Sequence, residues 1–253
     1  MNRHFRLILV PTLLFSSALS QTVATTGSQT LSSSSATQAA GLLSTAQAKH
    51  NPGGGMLPSL KITGQIAKTD PPRVSQLTLY IADGSHYRSE VTTNGPLYIY
   101  VGNDWKGWFE QNGVRKGLPV HMTYGQRCPL VPAYSLLADQ SSPDFRIKQL
   151  SQRGQSPTVD VAFANDTDPA FDAITRTSLV FDPTTGLLSE LDSLLLAPFS
   201  YTTTSQIKYF YSDYRLEQGL PLPHTITIQP DGGSTSVVTL NTFELWTVDP
   251  SIF

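Results

Sequence analysis

From Leu57 onward, apolar and polar residues alternate with a period of two. In "LKITGQIAK" the residues Leu60, Ile62 and Ile66 share a face, in "VSQLTLYIAD" Leu77, Leu79 and Ile81 do, and "GPLYIYVG" and "TVDVAFAND" repeat the alternation. Between these runs lie Asp83-Gly84, Asn94-Gly95, Asn112-Gly113, "DPTTG" (Asp182 to Gly186), Glu217-Gln218-Gly219 and Asp231-Gly232-Gly233, turn chemistry that tolerates positive φ. Hairpin turns join antiparallel neighbours and no long crossover helix intervenes, so the pattern predicts a meander of roughly ten to twelve strands. Two segments break the alternation. Ala39, Leu42, Leu43 and Ala46 fall at helical intervals within Ala36 to His50, and "NPGGG" ends that helix. "CPLVPAYSLLADQSSPDF" (Cys128 to Phe145) carries apolar residues between prolines without alternation and predicts a short apolar helix after Pro132, lying against the sheet.

The N-terminus bears on location. Arg3 and Arg6 precede an apolar run, Leu7 to Phe15, too short to span a bilayer, and Ala18 and Ser20 offer small residues ahead of a cut. Residues 1–20 are expected to be a secretory signal peptide, 21–35 a disordered Ser/Thr-rich leader, and 36–253 a single domain. The expected location is the periplasm, with full secretion the other exported destination. The single cysteine, Cys128, excludes an intramolecular disulfide. Net charge is −2 and only 14% of residues are charged, which gives no electrostatic reason to expect nucleic acid or anionic lipid head groups as partners.

Catalytic chemistry is sparsely represented. His4, His50, His86, His121 and His224 show no pairing at the three- to five-residue spacing of a zinc site, so no metal is expected. No Gly-x-Ser-x-Gly elbow occurs, and Cys128 stands in "QRCPLVP" without a nucleophile signature. Asp83, Glu90, Asp104 and Glu110 are close in sequence, but alternation does not bring them together convincingly as an acid/base pair. "NPGGGM" precedes a strand instead of opening a helix, so it is no phosphate cradle. The expectation is a protein without catalytic residues or cofactor.

Aromatics are what the chain has in excess. Tyr87 precedes Arg88 in "HYRSEV", and "LYIYVGNDWKGWFEQNG" contributes Tyr98, Tyr100, Trp105, Trp108 and Phe109. Singly, such residues commonly serve cross-strand packing. Together they offer more apolar surface than so few helices can cover, which points to a cavity. The late stretch "IKYFYSDYRLEQGLPLPHTITI" reads as a hairpin whose alternation puts Tyr209 and Tyr211 on one face with Ile207, and Phe210, Ser212 and Tyr214 on the other.

The order of these segments carries a resemblance. A signal peptide, a short helix ended by glycines, "LKITGQI", "HYRSEV", the hairpin "NGPLYIYVGNDWKGWFEQNG", the proline-flanked "CPLVPAYSLLADQ", "LVFDPTTGLLSEL" and "YSDYRLEQGLPLPHTITI" together resemble the LolA-like family of periplasmic outer-membrane lipoprotein-sorting and carrier proteins. The resemblance covers about Ala36 to Phe253 and lies in the succession of motifs, since none alone is a fingerprint. It implies a mainly β fold: a half-open antiparallel β-barrel of about eleven strands with short helices as a lid across its mouth. In such carriers an arginine on an early strand secures the lid by hydrogen bonds to its backbone, and Arg88 occupies the similar place. The lid would be Val131 to Ala138 with the helix Ala36 to His50. The chain departs from the carriers in its greater length, its Ser/Thr-rich leader and the stretch Leu194 to Ser205.

These readings converge on a non-catalytic, exported, monomeric protein that holds a hydrophobic ligand in the groove of the half-barrel. The partners implied are lipid or lipoprotein acyl chains, with room for an envelope protein as a second partner. The groove or lid candidates are Arg88, Tyr98, Tyr100, Trp105 and Trp108 from the early strands. Val131, Tyr134 and Leu137 come from the lid, and Tyr209 and Tyr211 from the late hairpin. Burying an acyl chain gains about 0.8 kcal/mol per CH₂ without any charged group, in keeping with the low charge content. The alternative is a secreted structural or interaction β protein whose groove is filled by its own side chains. An outer-membrane barrel fits poorly, because "WTVDPSIF" puts Asp249 and Pro250 where the last strand would need an outward apolar band.

Overall fold

A computed structural model of the chain describes residues 32–83, 85–103, 106–118, 128–135, 137–164, 170–196 and 204–253. The expected signal peptide and residues 21–31 of the Ser/Thr-rich leader lie outside the described residues, as do Asp104, Trp105, His121 and Leu136.

Among the described residues, thirteen strands form one antiparallel sheet. The first run comprises β1 (Leu60–Thr69), β2 (Pro72–Ile81), β3 (His86–Thr92), β4 (Leu97–Asn103), β5 (Lys106–Gln111) and β6 (Val114–Gly117). The second comprises β7 (Phe145–Arg153), β8 (Ser156–Phe163), β9 (Thr177–Phe181), β10 (Leu188–Leu196), β11 (Thr204–Glu217), β12 (Leu220–Pro230) and β13 (Ser236–Leu245). Their order in the sheet is β6-β5-β4-β3-β2-β1-β13-β12-β11-β10-β9-β8-β7, two meanders joined where β1 pairs with β13. Among the described strands, β6 and β7 are the edges and do not pair with each other, so the sheet stays open instead of closing into a barrel. Both edges carry basic side chains, Arg115 and Lys116 on one and Arg146, Lys148 and Arg153 on the other, which discourages pairing with a foreign strand.

The expected turn chemistry sits at the hairpins. Asn94 and Gly95, Asn112 and Gly113, and Gln218 and Gly219 all have positive φ, the geometry of two-residue loops that match the strand twist. The described strands number thirteen instead of about eleven, because the short β5–β6 hairpin around Asn112-Gly113 extends the first meander.

Helix α1 (Ser33–His50) begins three residues earlier than expected, because Ser32 caps it by accepting a 3.2 Å hydrogen bond from the Ser35 amide. Its buried stripe is Ala39, Leu43, Ala46 and His50, and Asn51 follows as the C-cap ahead of Pro52 and three glycines. The proline-flanked segment is not a continuous helix. It forms two 3-10 turns, η1 (Pro132–Tyr134) and η2 (Ala138–Ser141), because the non-helical Ser135 interrupts the helical path between them. A further short helix spans Ala170–Ile174, and a third 3-10 turn, η3 (Pro250–Ile252), ends the chain.

One core holds these pieces together. Leu60, Ile62, Leu77, Leu79 and Ile81 from β1 and β2 pack with Val159, Val161, Leu179 and Phe181 from the second meander, and with Leu43, Val131, Tyr134 and Leu137 from the segments lying over the sheet. Fully burying each Leu, Ile or Val is worth about 1.5–3 kcal/mol, so the lid is seated chiefly by this apolar contact.

Candidate functional site: a filled groove beneath a hydrogen-bonded lid

Strand register decides which predicted residues face the lid. On β3, Tyr87 belongs to the core, and its register partner on β4 is Gly102. The same face carries Tyr100 opposite Ser89 and Tyr98 opposite Val91, then Phe109 opposite Tyr100 on β5. Tyr98 is buried, and Tyr100 stacks on Phe109 with ring centroids 6.0 Å apart. These tyrosines therefore share the concave face of the sheet with the core. The ring of Tyr87 lies directly over Gly102, so that a Cβ there would collide with it.

Arg88 and Trp108 are on the other face. Arg88 is opposite Val101, and Val101 is opposite Trp108, one step out of phase with Tyr87. The Arg88 guanidinium donates from Nε to Glu90 Oε1 at 2.7 Å and from Nη1 to the Ile252 carbonyl at 3.2 Å, and it lies 5.8 Å from the Trp108 ring. Arg115 covers the same indole at 3.6 Å and pairs with Glu110. The described bonds of Arg88 thus run to Glu90 and to the C-terminal turn η3, on the face opposite Tyr87, instead of to the described backbone of the lid that the resemblance implies for it. Glu90 and Glu110 flank Ile99 on this outer face, each matched to an arginine, which makes them structural ion pairs and not an acid/base couple. The phenyl ring of Phe253 closes the same region, 6.0 Å from both His86 and Trp246.

The three lid candidates fill the groove. Val131 and Tyr134 are 0% exposed and Leu137 is 1% exposed, packed with Ala39, Leu43 and Ala46 of α1. On the sheet side Tyr211 is buried, and Tyr209 packs against the core. Tyr214 joins them, contrary to simple alternation. Asp213 has a φ of 53°, which breaks the strand's alternation and brings the phenol of Tyr214 to the carbonyl of Leu188 at 2.7 Å.

A small set of directed bonds ties the lid to the sheet and its own segments to one another. The Tyr211 hydroxyl donates to the Pro129 carbonyl at 2.6 Å, Tyr134 donates to the Pro58 carbonyl, and Gln140 Nε2 donates to the carbonyls of Leu43 (3.0 Å) and Leu137 (3.1 Å). At the far end of α1, His50 Nε2 accepts from the amide of Leu188 at 3.0 Å. Leu188 thereby has its amide bound by α1 and its carbonyl by β11. Sequence reading missed His50, Tyr214 and Gln140. The available signal was the stripe 39, 43, 46, which continues at helical spacing to His50.

Electrostatically this region is quiet. Burial pushes the Cys128 thiol up to about 12, so at neutral pH it is protonated and no nucleophile. Burial likewise raises the phenols of Tyr134, Tyr209, Tyr211 and Tyr214 above their ordinary range. Among the described residues, no three His, Cys, Asp or Glu side chains are grouped to hold a metal. An open cleft of about 500 Å³ runs between α1 and the β7 edge, lined by Gln38, Leu42, Leu150, Ser151, Gln152 and Pro157.

Comparison with known proteins agrees on architecture. No family model matches the chain, and no curated protein matches it. Among solved structures it is similar to a LolA superfamily protein from Nitrosomonas europaea, with a TM-score of 0.57 at 11% identity, covering 87% of this chain and 97% of that one. It is also similar to a putative outer membrane lipoprotein-sorting protein domain from Vibrio parahaemolyticus, with a TM-score of 0.53 at 10% identity and coverage of 85% and 96%. A DUF1329 family protein from Desulfovibrio piger follows, with a TM-score of 0.50 at 11% identity and coverage of 83% and 92%. Likeness at such identities concerns fold alone. The fold is the LolA-like one, an open antiparallel half-barrel with a lid across its concave face.

Proposed function

We propose that the protein binds a hydrophobic guest, an acyl chain of a lipid or lipoprotein, in the groove between sheet and lid, without catalysis and in the periplasm. The observation that carries this reading is how the lid is held: apolar side chains press on the concave face, and few hydrogen bonds fix its position, two donated by the Tyr134 and Tyr211 hydroxyls and one accepted by His50 from the Leu188 amide. Such a lid can lift and be replaced by a guest of the same chemistry, because both sides of the exchange are apolar. Tyr98, Tyr100, Val131, Tyr134, Leu137, Tyr209 and Tyr211 are the candidate groove and lid residues. Arg88 and Trp108 act at the outer face, and Trp105 is a candidate from its sequence alone. The Vibrio parahaemolyticus neighbour, named for lipoprotein sorting, supports the reading at the level of fold.

Solvent extraction of the purified protein followed by lipid mass spectrometry tests it, together with uptake of a fluorescent fatty acid. A co-purifying lipid or saturable uptake is expected. Absence of both overturns the reading.

One observation favours a second reading. The described groove is filled by the chain's own residues, with Val131, Tyr134 and Leu137 at no more than 1% exposure. A protein that never opens would serve as an interaction module, presenting its outer face or edges to another protein. Failure of any fatty acid to enter, alongside a lid that exchanges hydrogen only by global unfolding, favours it.

A further inference from the structure

His50 is the last residue of α1, 1% exposed, and it is the only lid side chain that reaches the sheet as a hydrogen-bond acceptor among the bonds described above. Nε2 takes the Leu188 amide proton, so the ring proton must reside on Nδ1. Nδ1 is itself buried and has no hydrogen-bond partner among the described residues. A ring used this way cannot accept a second proton in place: protonation would set an N–H donor against the Leu188 N–H and strand a charge in an apolar site.

The surroundings offer no relief. On α1 the neighbouring Lys49 is cationic. On β11, Tyr214 meets the ring edge-on at 5.7 Å with its hydroxyl committed to Leu188. In the β9–β10 turn, the Asp182 carboxylate is occupied by Thr184 and Thr185, and on β12 His224 binds Glu217 at 3.1 Å. Among the described residues no carboxylate is hydrogen-bonded or ion-paired to His50.

We propose that His50 is a pH-sensitive latch: its neutral imidazole fastens the end of α1 to the start of β10, and protonation releases that end of the lid. The consequence for guest binding rests on the groove reading above, whereas the latch itself does not. Desolvation lowers the closed ring from 6.5 to about 4, so the latch is fully engaged above pH 6.5. It weakens as pH falls from 6.5 toward 4, where the opened ring binds a proton and the closed ring does not, and the effect levels off below 4. Between pH 7.5 and 5.0 the opening equilibrium of α1 should rise roughly 30-fold.

The test is hydrogen exchange of the α1 amides in the full chain at pH 7.5 and 5.0, each corrected for intrinsic exchange. The expected result is the roughly 30-fold rise in wild type and its loss in His50→Gln, whose side-chain oxygen can still accept from Leu188 without titrating. Equal opening at both pH values, or an undiminished pH effect in His50→Gln, overturns the latch. If His50→Gln does not fold, NMR titration of the wild-type imidazole decides. A ring still neutral and protonated on Nδ1 near pH 5 supports the proposal, and titration at the ordinary value of 6.5 overturns it. Fatty-acid uptake measured alongside separates the two readings: α1 opening with no uptake at either pH counts against the groove, and the latch stands.

Discussion

The hydroxyl of Tyr211 donates a 2.6 Å hydrogen bond to the backbone carbonyl of Pro129, joining the middle of β11 to the segment that leads into the lid. Tyr211 is 5% exposed, so water cannot readily replace the lost partner if the hydroxyl is removed. Tyr211→Phe keeps the ring and its packing. It should cost about 1–2 kcal/mol in chemical denaturation and raise hydrogen exchange in residues 128–135 more than in β1 or β2. Uniform destabilisation with no local increase would show that the bond does not hold the lid.

Gly102 lies beneath the ring of Tyr87, and a methyl group there has no room unless the ring moves. Because Tyr87 is buried in the core, it cannot swing into solvent. Gly102→Ala should destabilise the protein by about 1–3 kcal/mol, read as a lower denaturation midpoint with an unchanged slope. Gly102→Val should be worse.

Arg88→Leu should act at the C-terminus and leave the lid alone. It removes the bond to the Ile252 carbonyl and frees Glu90, both in partly exposed positions, so the cost should stay within about 2 kcal/mol. Exchange protection should fall around residues 246–253, with fatty-acid uptake unchanged. A change in uptake without a change at the C-terminus would restore a lid role to this arginine.

Cys128 reports on lid opening. Its thiol is 2% exposed and pushed up to about 12, so the protonated form dominates through the neutral range, and thiolate in the closed protein appears only as pH rises toward that value. Native protein should resist a thiol reagent at pH 8 and react at the rate at which the segment opens. Tyr211→Phe should accelerate labelling. Immediate labelling of the wild type would mean that the lid is not seated over this residue.

Much of the architecture was legible in the sequence because its determinants are local. Asn-Gly and Gln-Gly pairs set hairpin turns with positive φ, and the stripe Ala39, Leu43, Ala46 set the buried face of α1. What was not legible depends on contacts far apart in the chain. Alternation in "HYRSEV" separates Tyr87 from Arg88 but does not say which faces the lid; that is settled by η3, more than 160 positions downstream at the Arg88–Ile252 bond. The reversal at Asp213, which brings Tyr214 to the lid side, has only a weak signal in residue type: Asp tolerates positive φ better than most residues, but its presence in a strand does not require it. The lid turns read as a helix in the sequence because apolar composition alone does not distinguish a 3-10 turn from an α-helical one.

The junction of β1 with β13 has a consequence for how the chain becomes this structure. Thr63 and Thr242 share a 2.7 Å hydrogen bond across 179 positions, in the middle of the sheet. Each meander grows by adding neighbours, but the two halves cannot merge until the final strand exists and finds the first. Closing so long a loop is slow compared with forming a hairpin, so the half-barrel should assemble late and as a single event, once β13 has been made.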